Sequence, residues 1–553
     1  MAKKTTPRKG AVKKTKYIFV VGGVMSGVGK GITTSSIGKI LQSRGFSVTA
    51  LKIDPYINVD AGTMNPTEHG EVFVLSDGDE CDQDMGNYER FLGVTLSRDN
   101  YMTTGRVYQS VINRERNLEY KGKCVEVVPH IPMEVIDRIK RAAKQAEADI
   151  AMIEIGGTIG EYQNILFLEA ARMLKNMHPE DVFFVLVSYL PTPSKIGEMK
   201  TKPTQYATRT LNGAGIQPDI IVARADRDLD EKRKEKLALF CSVRKEDVIS
   251  APDVDSVYHI PLNFEEQNLS TILLKKMNLR PRQKDLKDWK GFVSRVEESQ
   301  KTVDIAVVGK YFKTGDYVLS DAYLSVIESL KYAAYALKRK PVLHWIDSEE
   351  YETNPSSLRE LKKYAGVLIP GGFGSRGIEG KIEAIRFCRE NGIPYFGICY
   401  GMQLMVIEYA RNACGIADAH TTEVNPKTQN PVIDIMPEQK KNLRDKNYGA
   451  TMRLGTYEAV LKNATIARKA YKQKEIIERH RHRYEVNPEY IARVEEAGLI
   501  FSGTSPDHRL MEIAELPASE HPFFVGSQFH PEFLSSPLHP HPLFVEFLKA
   551  CVK

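Results

Sequence analysis

Tyr395-Phe396-Gly397-Ile398-Cys399-Tyr400-Gly401-Met402-Gln403 is the stretch on which the fold of this chain turns. Ile393, Tyr395, Phe396 and Ile398 form the near-continuous apolar run of a strand buried in a parallel sheet. The run stops at Gly-Ile-Cys-Tyr-Gly, after which Leu404, Ile407, Glu408 and Ala410 follow with helical spacing. A glycine two residues before Cys399 and another two after it permit a tight strand-to-helix elbow, which lifts a side chain clear of its sheet. At such an elbow the sulfur meets a helix N-terminus, whose dipole favours thiolate. An inert buried thiol is the plain alternative, and residues further down the chain weigh against it.

Those residues are Gln528-Phe529-His530-Pro531-Glu532. A cysteine nucleophile needs a base, and the base needs a carboxylate to fix its tautomer. His530 and Glu532 are two residues apart after the apolar run 523–525, so an extended backbone puts both side chains on one face. His-x-Glu alone is a weak signal. It gains force from the elbow and from Pro370-Gly371-Gly372-Phe373-Gly374, whose glycines close a strand at 367–369 and can offer backbone N–H groups to an oxyanion.

On these motifs, residues from about 303 to 550 resemble the class I glutamine amidotransferases, which hydrolyse glutamine to glutamate and ammonia. The resemblance implies Cys399 as nucleophile, His530 as base and Glu532 as its orienter. It implies glutamine binding at Gly372, Tyr400, Gly401, Met402, Gln403, Glu423 and Arg483. Physically, Glu423 suits the substrate's ammonium and Arg483 its carboxylate. The run Arg479-His480-Arg481-His482-Arg483 would otherwise read as a phosphate or nucleic-acid patch.

At 553 residues the chain is long enough for two to four domains. A hydrophobic content of 42% and a charged content of 27% are ordinary for a globular protein. The net charge is +6, and the first sixteen residues carry seven Lys/Arg with no acid. The body is thus close to neutral, and composition makes no case for nucleic acid as a partner. Seven scattered cysteines, none in Cys-x-x-Cys spacing, argue against a disulfide framework or a zinc site. No apolar run reaches about 18 residues, so no membrane span is expected. The basic tail lacks the apolar core of a signal peptide, and the expected compartment is the cytoplasm.

Residues 1–16 read as a disordered basic tail. The strand 17–21 runs into Gly22-Gly23-Val24-Met25-Ser26-Gly27-Val28-Gly29-Lys30-Gly31-Ile32, and an amphipathic helix follows to about residue 44. Strand, glycine loop and helix make a phosphate cradle, with Lys30 supplying charge. The spacing departs from Walker A, with five residues between Gly23 and Gly29 and with Gly31 where Ser or Thr would stand. A second strand delivers Lys52 and Asp54. Asp77, Asp79, Glu80, Asp82 and Asp84 form an acidic cluster, which beside a phosphate cradle is expected to supply a ligand for Mg2+. Another strand, 150–155, presents Glu154 near its end. Lys200-Thr201-Lys202-Pro203-Thr204-Gln205 suits a polyphosphate or a base, with a surface loop as the plain alternative. The charged, Pro-containing stretch 279–302 reads as a linker, and a fresh βα alternation begins at 303.

An ammonia generator joined to a phosphate-binding domain points to ATP-dependent amination. The chain beyond the tail resembles the CTP synthase family. The motifs are the glycine loop, Lys52-x-Asp54-Pro-Tyr-Ile-Asn-Val-Asp60, His69-Gly-Glu-Val-Phe-Val, Tyr88-Glu-Arg-Phe, Glu154-Ile-Gly-Gly-Thr, Lys-Thr-Lys202-Pro-Thr-Gln, Ile216-Gln-Pro-Asp, Gly449-Ala-Thr-Met-Arg453-Leu-Gly and Arg-His-Arg-His-Arg-Tyr-Glu-Val-Asn487. The fold implied is α/β, with a tail (1–16), a Rossmann-like P-loop amidoligase domain with a parallel sheet (17–278), a linker (279–302) and an α/β class I glutamine amidotransferase domain (303–553).

The resemblance implies ATP binding by Gly27, Val28, Gly29, Lys30, Gly31, Ile32, Lys52, Asp84, Asp253 and Val254, with Mg2+ on Asp84 and Glu154. It implies UTP or CTP binding by Ser26, Glu161, Tyr162, Gln163, Lys200, Thr201, Lys202, Pro203, Thr204, Gln205 and Lys236. ATP would phosphorylate the uracil 4-oxygen of UTP, and ammonia arriving through an internal tunnel would displace the phosphate. GTP activation, CTP feedback inhibition and homotetramers are implied as well. Glu161-Tyr162-Gln163 departs from the family's usual Asp-Ile-Glu, lengthening one acid and neutralising the other. Tyr400 replaces the usual Leu, an expected narrowing of the glutamine pocket, and 425–447 is divergent. The rival readings are another glutamine-dependent amidoligase and a catalytically dead nucleotide-binding scaffold. The Lys-Thr-Lys-Pro-Thr-Gln run weighs against the first, and the intact Cys399, His530, Glu532 and Lys30 weigh against the second.

Overall fold

Runs of β-branched and aromatic residues build two large sheets in the computed structural model. It describes residues 14–195, 197–283, 285–309, 313–314, 317–318, 320–372, 374–436, 439 and 451–553. Residues 1–13 of the expected tail, Phe373, and 437–438 and 440–447 of the divergent stretch lie outside these, as do Gly449 and Ala450. Packing divides the chain into two units, one holding Asp99–Leu286 with the residues up to Val59, the other Asp60–Arg98 with Lys287–Lys553.

The first unit carries a seven-stranded sheet. Its strands run, edge to edge, Tyr101–Thr103, Val48–Asp54, Ile150–Ile155, Lys16–Gly23, Val182–Tyr189, Ile220–Ala225 and Val248–Pro252. All neighbours are parallel. Phe19, Leu51, Ile153, Val135, Ile139 and Leu174 fill the layer between sheet and helices, each burial contributing about 1.5–3 kcal/mol. Register sets function at the strand ends, since Lys52 is paired with Glu154 and Val20 with Glu154 on the other side. The end of the expected tail is ordered. Lys16 opens the first strand, and both Lys14 and Lys16 pair with Asp181, at 2.7 and 2.9 Å.

In the second unit a nine-stranded sheet runs Lys340–Asp347, Thr302–Gly309, Gly366–Ile369, Tyr395–Ile398, Phe524–Ser527, Met511–Glu515, Ile500–Thr504, Arg453–Leu461 and Glu475–His482. The first five strands are parallel and the rest antiparallel. Tyr395–Ile398 is central, with Phe396 packed against Phe523, Phe544 and Phe547.

By packing, the chain divides elsewhere than at 278 and 303. The hairpin Val72–Val74/Glu80–Asp82 and the helix Asp84–Leu92 belong to the second unit. The expected linker contains the helix Lys287–Glu298, whose Trp289 is buried 5.0 Å from Phe91. Charge and proline in 279–302 concealed an amphipathic helix with Trp289, Phe292 and Val293 on one face. Among the described residues no helix is long and apolar enough to cross a membrane.

Candidate active site

Cys399 sits between the central strand and the helix Tyr400–Asn412 at φ 50°, ψ −99°, a strained conformation for a residue with a Cβ. The flanking glycines are needed for close approach: a Cβ on Gly397 would press on the backbone of Gly401, and one on Gly401 would collide with the Ile369 carbonyl. The Cys399 N–H donates to the Ser527 carbonyl at 2.6 Å. Its thiol lies 3.8 Å from the Arg481 carbonyl oxygen, and Gln528 Nε2 approaches the sulfur to 3.8 Å.

His530 follows the neighbouring strand Phe524–Ser527 and donates from its backbone N–H to the Arg479 carbonyl at 2.8 Å. Its Nδ1 is 2.7 Å from Glu532 Oε1, which fixes the tautomer, and its ring stacks on Phe533 at 5.0 Å. Nε2 has no hydrogen-bond partner among the described residues. Burial alone would lower the pKa of His530, but the charges of Glu532 and Cys399 outweigh it and hold the imidazolium up to about 10. A Cβ on Gly371 would lie 2.8 Å from His530 Cε1 and 3.7 Å from Cys399 Cβ, so the glycine loop is pressed against both. A cavity of about 90 Å³ opens here, lined among others by Glu71, Tyr323, Gly372, Cys399, Arg481 and His530.

The expected glutamine-binding positions divide. Glu423 Oε1 accepts from the Gly374 N–H at 2.9 Å, which ties it to the glycine loop. Arg483 donates to Gln439 at 2.8 Å and to Thr451 at 3.1 Å. The side chains of Tyr400, Met402 and Gln403 are buried. Gln403 Nε2 donates to the Tyr484 carbonyl at 3.0 Å, and the Tyr400 hydroxyl to the Gly374 carbonyl at 3.2 Å. Tyr400 therefore reaches the loop with its hydroxyl, its ring 5.6 Å from Lys381 Nζ.

The basic run is no phosphate patch. Arg479 pairs with Glu89 and Arg481 with Glu80, while His480 and His482 are buried, 2.9 Å from each other. Burial, reinforced by nearby positive charge, pushes both histidines well below their usual pKa. Glu71, Arg481 and Gln528 were missed as functional candidates. Their contacts span between 82 and 401 residues of sequence, for which a single sequence carries no local signal.

In the first unit, Gly29 caps the helix Lys30–Ser43 from the left-handed region at φ 82°. Lys30 Nζ donates to the Gly157 carbonyl at 3.0 Å, and a Cβ on Gly22 would meet its side chain at 2.9 Å. Lys52 Nζ is 2.7 Å from Glu154 and 3.8 Å from Asp54. Lys30, Lys52 and Glu154 thus gather at the carboxyl ends of adjacent parallel strands, where ligands bind in open α/β sheets. A cavity of about 230 Å³ adjoins Gly29, Ile32 and Thr33 and contains the expected Asp253 and Val254 together with Arg224, unremarked in the sequence, which pairs with Asp253 at 2.9 Å.

The remaining positions divide between surface and interior, with Thr201 and Thr204 buried. Tyr162 is 90% exposed, and Ser26 and Gln163 are exposed as well. Lys200 pairs with Glu198, whose carboxyl is held low by that lysine first and more weakly by Lys236. Thr201 stands at the N-cap position of the helix Lys202–Gly213, where its hydroxyl accepts from Gln205 at 3.0 Å; Thr204 meets Ser188 at 2.9 Å.

For a divalent ion, Glu154 fits as an oxygen donor, buried among Lys52, Asp54 and Thr34. Asp84, the other expected ligand, stands at the start of the helix Asp84–Leu92. The described residues hold no ready-made group of three metal-ligating side chains.

Comparison with known proteins finds relatives for both halves of the chain. The family described as CTP synthase N-terminus matches residues 16–279, and the class-I glutamine amidotransferase family matches 318–550. A CTP synthase of Halalkalibacterium halodurans is 48% identical over 540 residues, 98% of this chain and 99% of its own. A CTP synthase of Pyrococcus furiosus is 50% identical over 538 residues, 97% of this chain and 98% of its own. Among solved structures, the glutaminase domain of Trypanosoma brucei CTPS with bound acivicin is 37% identical, covering 45% of this chain and 94% of that one, with a TM-score of 0.42. Near-half identity to whole relatives, carried through both sheets rather than one, places the chain in the CTP synthase family.

Proposed function

We infer that this chain aminates UTP to CTP in an ATP-dependent reaction, with ammonia drawn from glutamine. The observation that carries the glutamine half is Cys399, on its strained elbow, sharing a cavity with a histidine that Glu532 holds at 2.7 Å. Glu423 and Arg483 receive the ammonium and carboxylate of glutamine. The Cys399 sulfur attacks the carboxamide carbon as the thiolate, its proton already held by His530 as the imidazolium. The oxyanion forms against the backbone N–H groups of Gly372 and Tyr400. His530 returns the proton to the nitrogen as the C–N bond breaks, releasing ammonia and leaving a thioester. Water then cleaves that thioester to glutamate, with His530 as its base.

In the first unit the glycine loop Gly27–Ile32, with Lys30 and Lys52, cradles the ATP phosphates, and Asp253 and Val254 flank the adenine. Lys30 and Lys52 offset charge on the transferred phosphoryl group. Ser26, Glu161–Gln163, Lys200–Gln205 and Lys236 bind UTP, and CTP as feedback inhibitor. Mg2+, held at Glu154, supplies neutralising charge to the phosphates when bound. GTP as activator and a homotetramer complete the reading.

The test is CTP formation from UTP and ATP with glutamine or ammonium as the nitrogen source. Cys399→Ala is expected to abolish glutamine-dependent synthesis and spare the ammonia-dependent reaction. Equal loss of both would overturn the division of labour.

A further inference from the structure

The strand Glu475–His482 does two jobs with alternate residues. Through their carbonyl groups, Arg479 accepts from the His530 backbone N–H at 2.8 Å and Arg481 lies 3.8 Å from the Cys399 thiol. The side chains of the same two residues are anchored on the segment Asp60–Arg98. Arg479, 1% exposed, makes a bidentate pair with Glu89 at 2.7 and 3.1 Å and donates to the Val74 carbonyl at 3.0 Å. Arg481 donates to Glu80 at 2.8 Å. Glu89 is itself fixed, because its Oε1 also accepts from the Leu96 N–H at 2.8 Å. A second, apolar route ends at the same histidine, since Phe73 packs edge-on against Phe533 at 5.0 Å and Phe533 stacks on the His530 ring. The hairpin and helix between Val72 and Leu92 therefore hold the base by its backbone and by its ring.

We propose that Glu89 is a positioning residue for glutamine hydrolysis, holding Arg479 and, through the Arg479 carbonyl and the Phe73–Phe533 contact beside it, the His530 imidazole. The inference rests on the reading of His530 as the catalytic base. It gives residues that fall within the N-terminal family match a part in the C-terminal chemistry. A bidentate guanidinium–carboxylate pair specifies distance and plane, which a single hydrogen bond does not. Ångström-scale displacement of a base lowers turnover without weakening the grip on the substrate's distant ammonium and carboxylate.

The experiment uses the full chain and the variants Glu89→Gln, Arg479→Lys and Phe73→Leu, with Cys399→Ala as control. Glutamine hydrolysis gives kcat and KM, ammonia-dependent CTP synthesis reports the other half, and a thermal melt reports folding. Glu89→Gln and Arg479→Lys are expected to lower the hydrolytic kcat roughly tenfold to a hundredfold, with KM and ammonia-dependent synthesis changed less than about twofold. If the buried-charge variants do not fold, Phe73→Leu, which removes no charge, is expected to show the same split several-fold. Wild-type kcat in the folded variants, or parallel loss of kcat and ammonia-dependent synthesis, would overturn the proposal. Persistent hydrolysis by Cys399→Ala would instead sink the assignment of the nucleophile on which it rests.

Discussion

At the scale of single residues, the side chain of Tyr400 shows how the neighbour of a nucleophile can brace a site independently of its own backbone N–H. Its backbone N–H opens the helix after Cys399, while its hydroxyl donates to the Gly374 carbonyl and its buried ring faces the Lys381 ammonium. Gly374 in turn gives its N–H to Glu423. One phenol thus ties the elbow to the glycine loop and, through it, to the residue assigned to the substrate's ammonium. Tyr400→Phe keeps the ring and deletes the tether, a loss of about 1 kcal/mol. The expected result is a fall of roughly fivefold in kcat/KM for glutamine hydrolysis, with ammonia-dependent synthesis unchanged. Steady-state rates with the two nitrogen sources check it, and unaltered glutamine kinetics would mean that Gly374 is held by other contacts.

At the scale of elements, the glutaminase unit borrows its caps and braces from distant sequence. The helix Leu324–Ala336 has no side-chain cap of its own; Glu71 supplies one, accepting from the Ser325 N–H at 3.1 and 3.2 Å and from the Ser325 hydroxyl. Burial pushes the Glu71 carboxyl up to about 7, with Glu532 adding to the rise and Arg90 and Ser325 resisting it. Because the folded pKa is above the ordinary carboxylate value, the folded chain holds more protons than the unfolded one between about pH 4.5 and 7. Stability from this group is therefore complete below pH 4.5, declines as pH rises to about 7, and is flat beyond. Glu71→Gln cannot ionise and should gain on the wild type over that window, by roughly 3 kcal/mol at most above pH 7. Paired thermal melts from pH 5 to 8 test this, and a melting-temperature difference independent of pH would refute it. Elements of this kind mark the limit of sequence reading. The elbow at Cys399 and the loop before Lys30 were legible because their periodicity and glycines are contiguous. Lys52 and Glu154 were legible at the ends of their strands, and register then paired them. Glu71, Glu80 and Glu89 were not, because their partners Ser325, Arg481 and Arg479 are hundreds of residues away, and no local pattern separates such a glutamate from a solvated one.

At the scale of the whole molecule, two sheets with different chemistry make separable activities the central expectation. Ammonia at neutral pH is mostly protonated and not nucleophilic, so a chain that makes it on one sheet and consumes it on another gains only if both are intact. Lys30 tests the consuming half. It is buried at the start of its helix, donates to the Gly157 carbonyl and fills the space above Gly22. Lys30→Met keeps the aliphatic stem and removes the charge that offsets the phosphoryl group. Loss of such a contact in the transition state costs roughly 2.7–4 kcal/mol, or a hundredfold to a thousandfold in kcat. CTP synthesis should fall by that factor with glutamine and with ammonium alike, while nucleotide-free glutamine hydrolysis stays at the wild-type rate, since the described residues that line the cavity around Cys399 all belong to the second unit. Parallel measurement of CTP and glutamate checks both halves at once. A variant that still made CTP from ammonium at the wild-type rate would show that the phosphate cradle is elsewhere, and one that lost basal hydrolysis too would show that the two sheets do not work as separable catalysts.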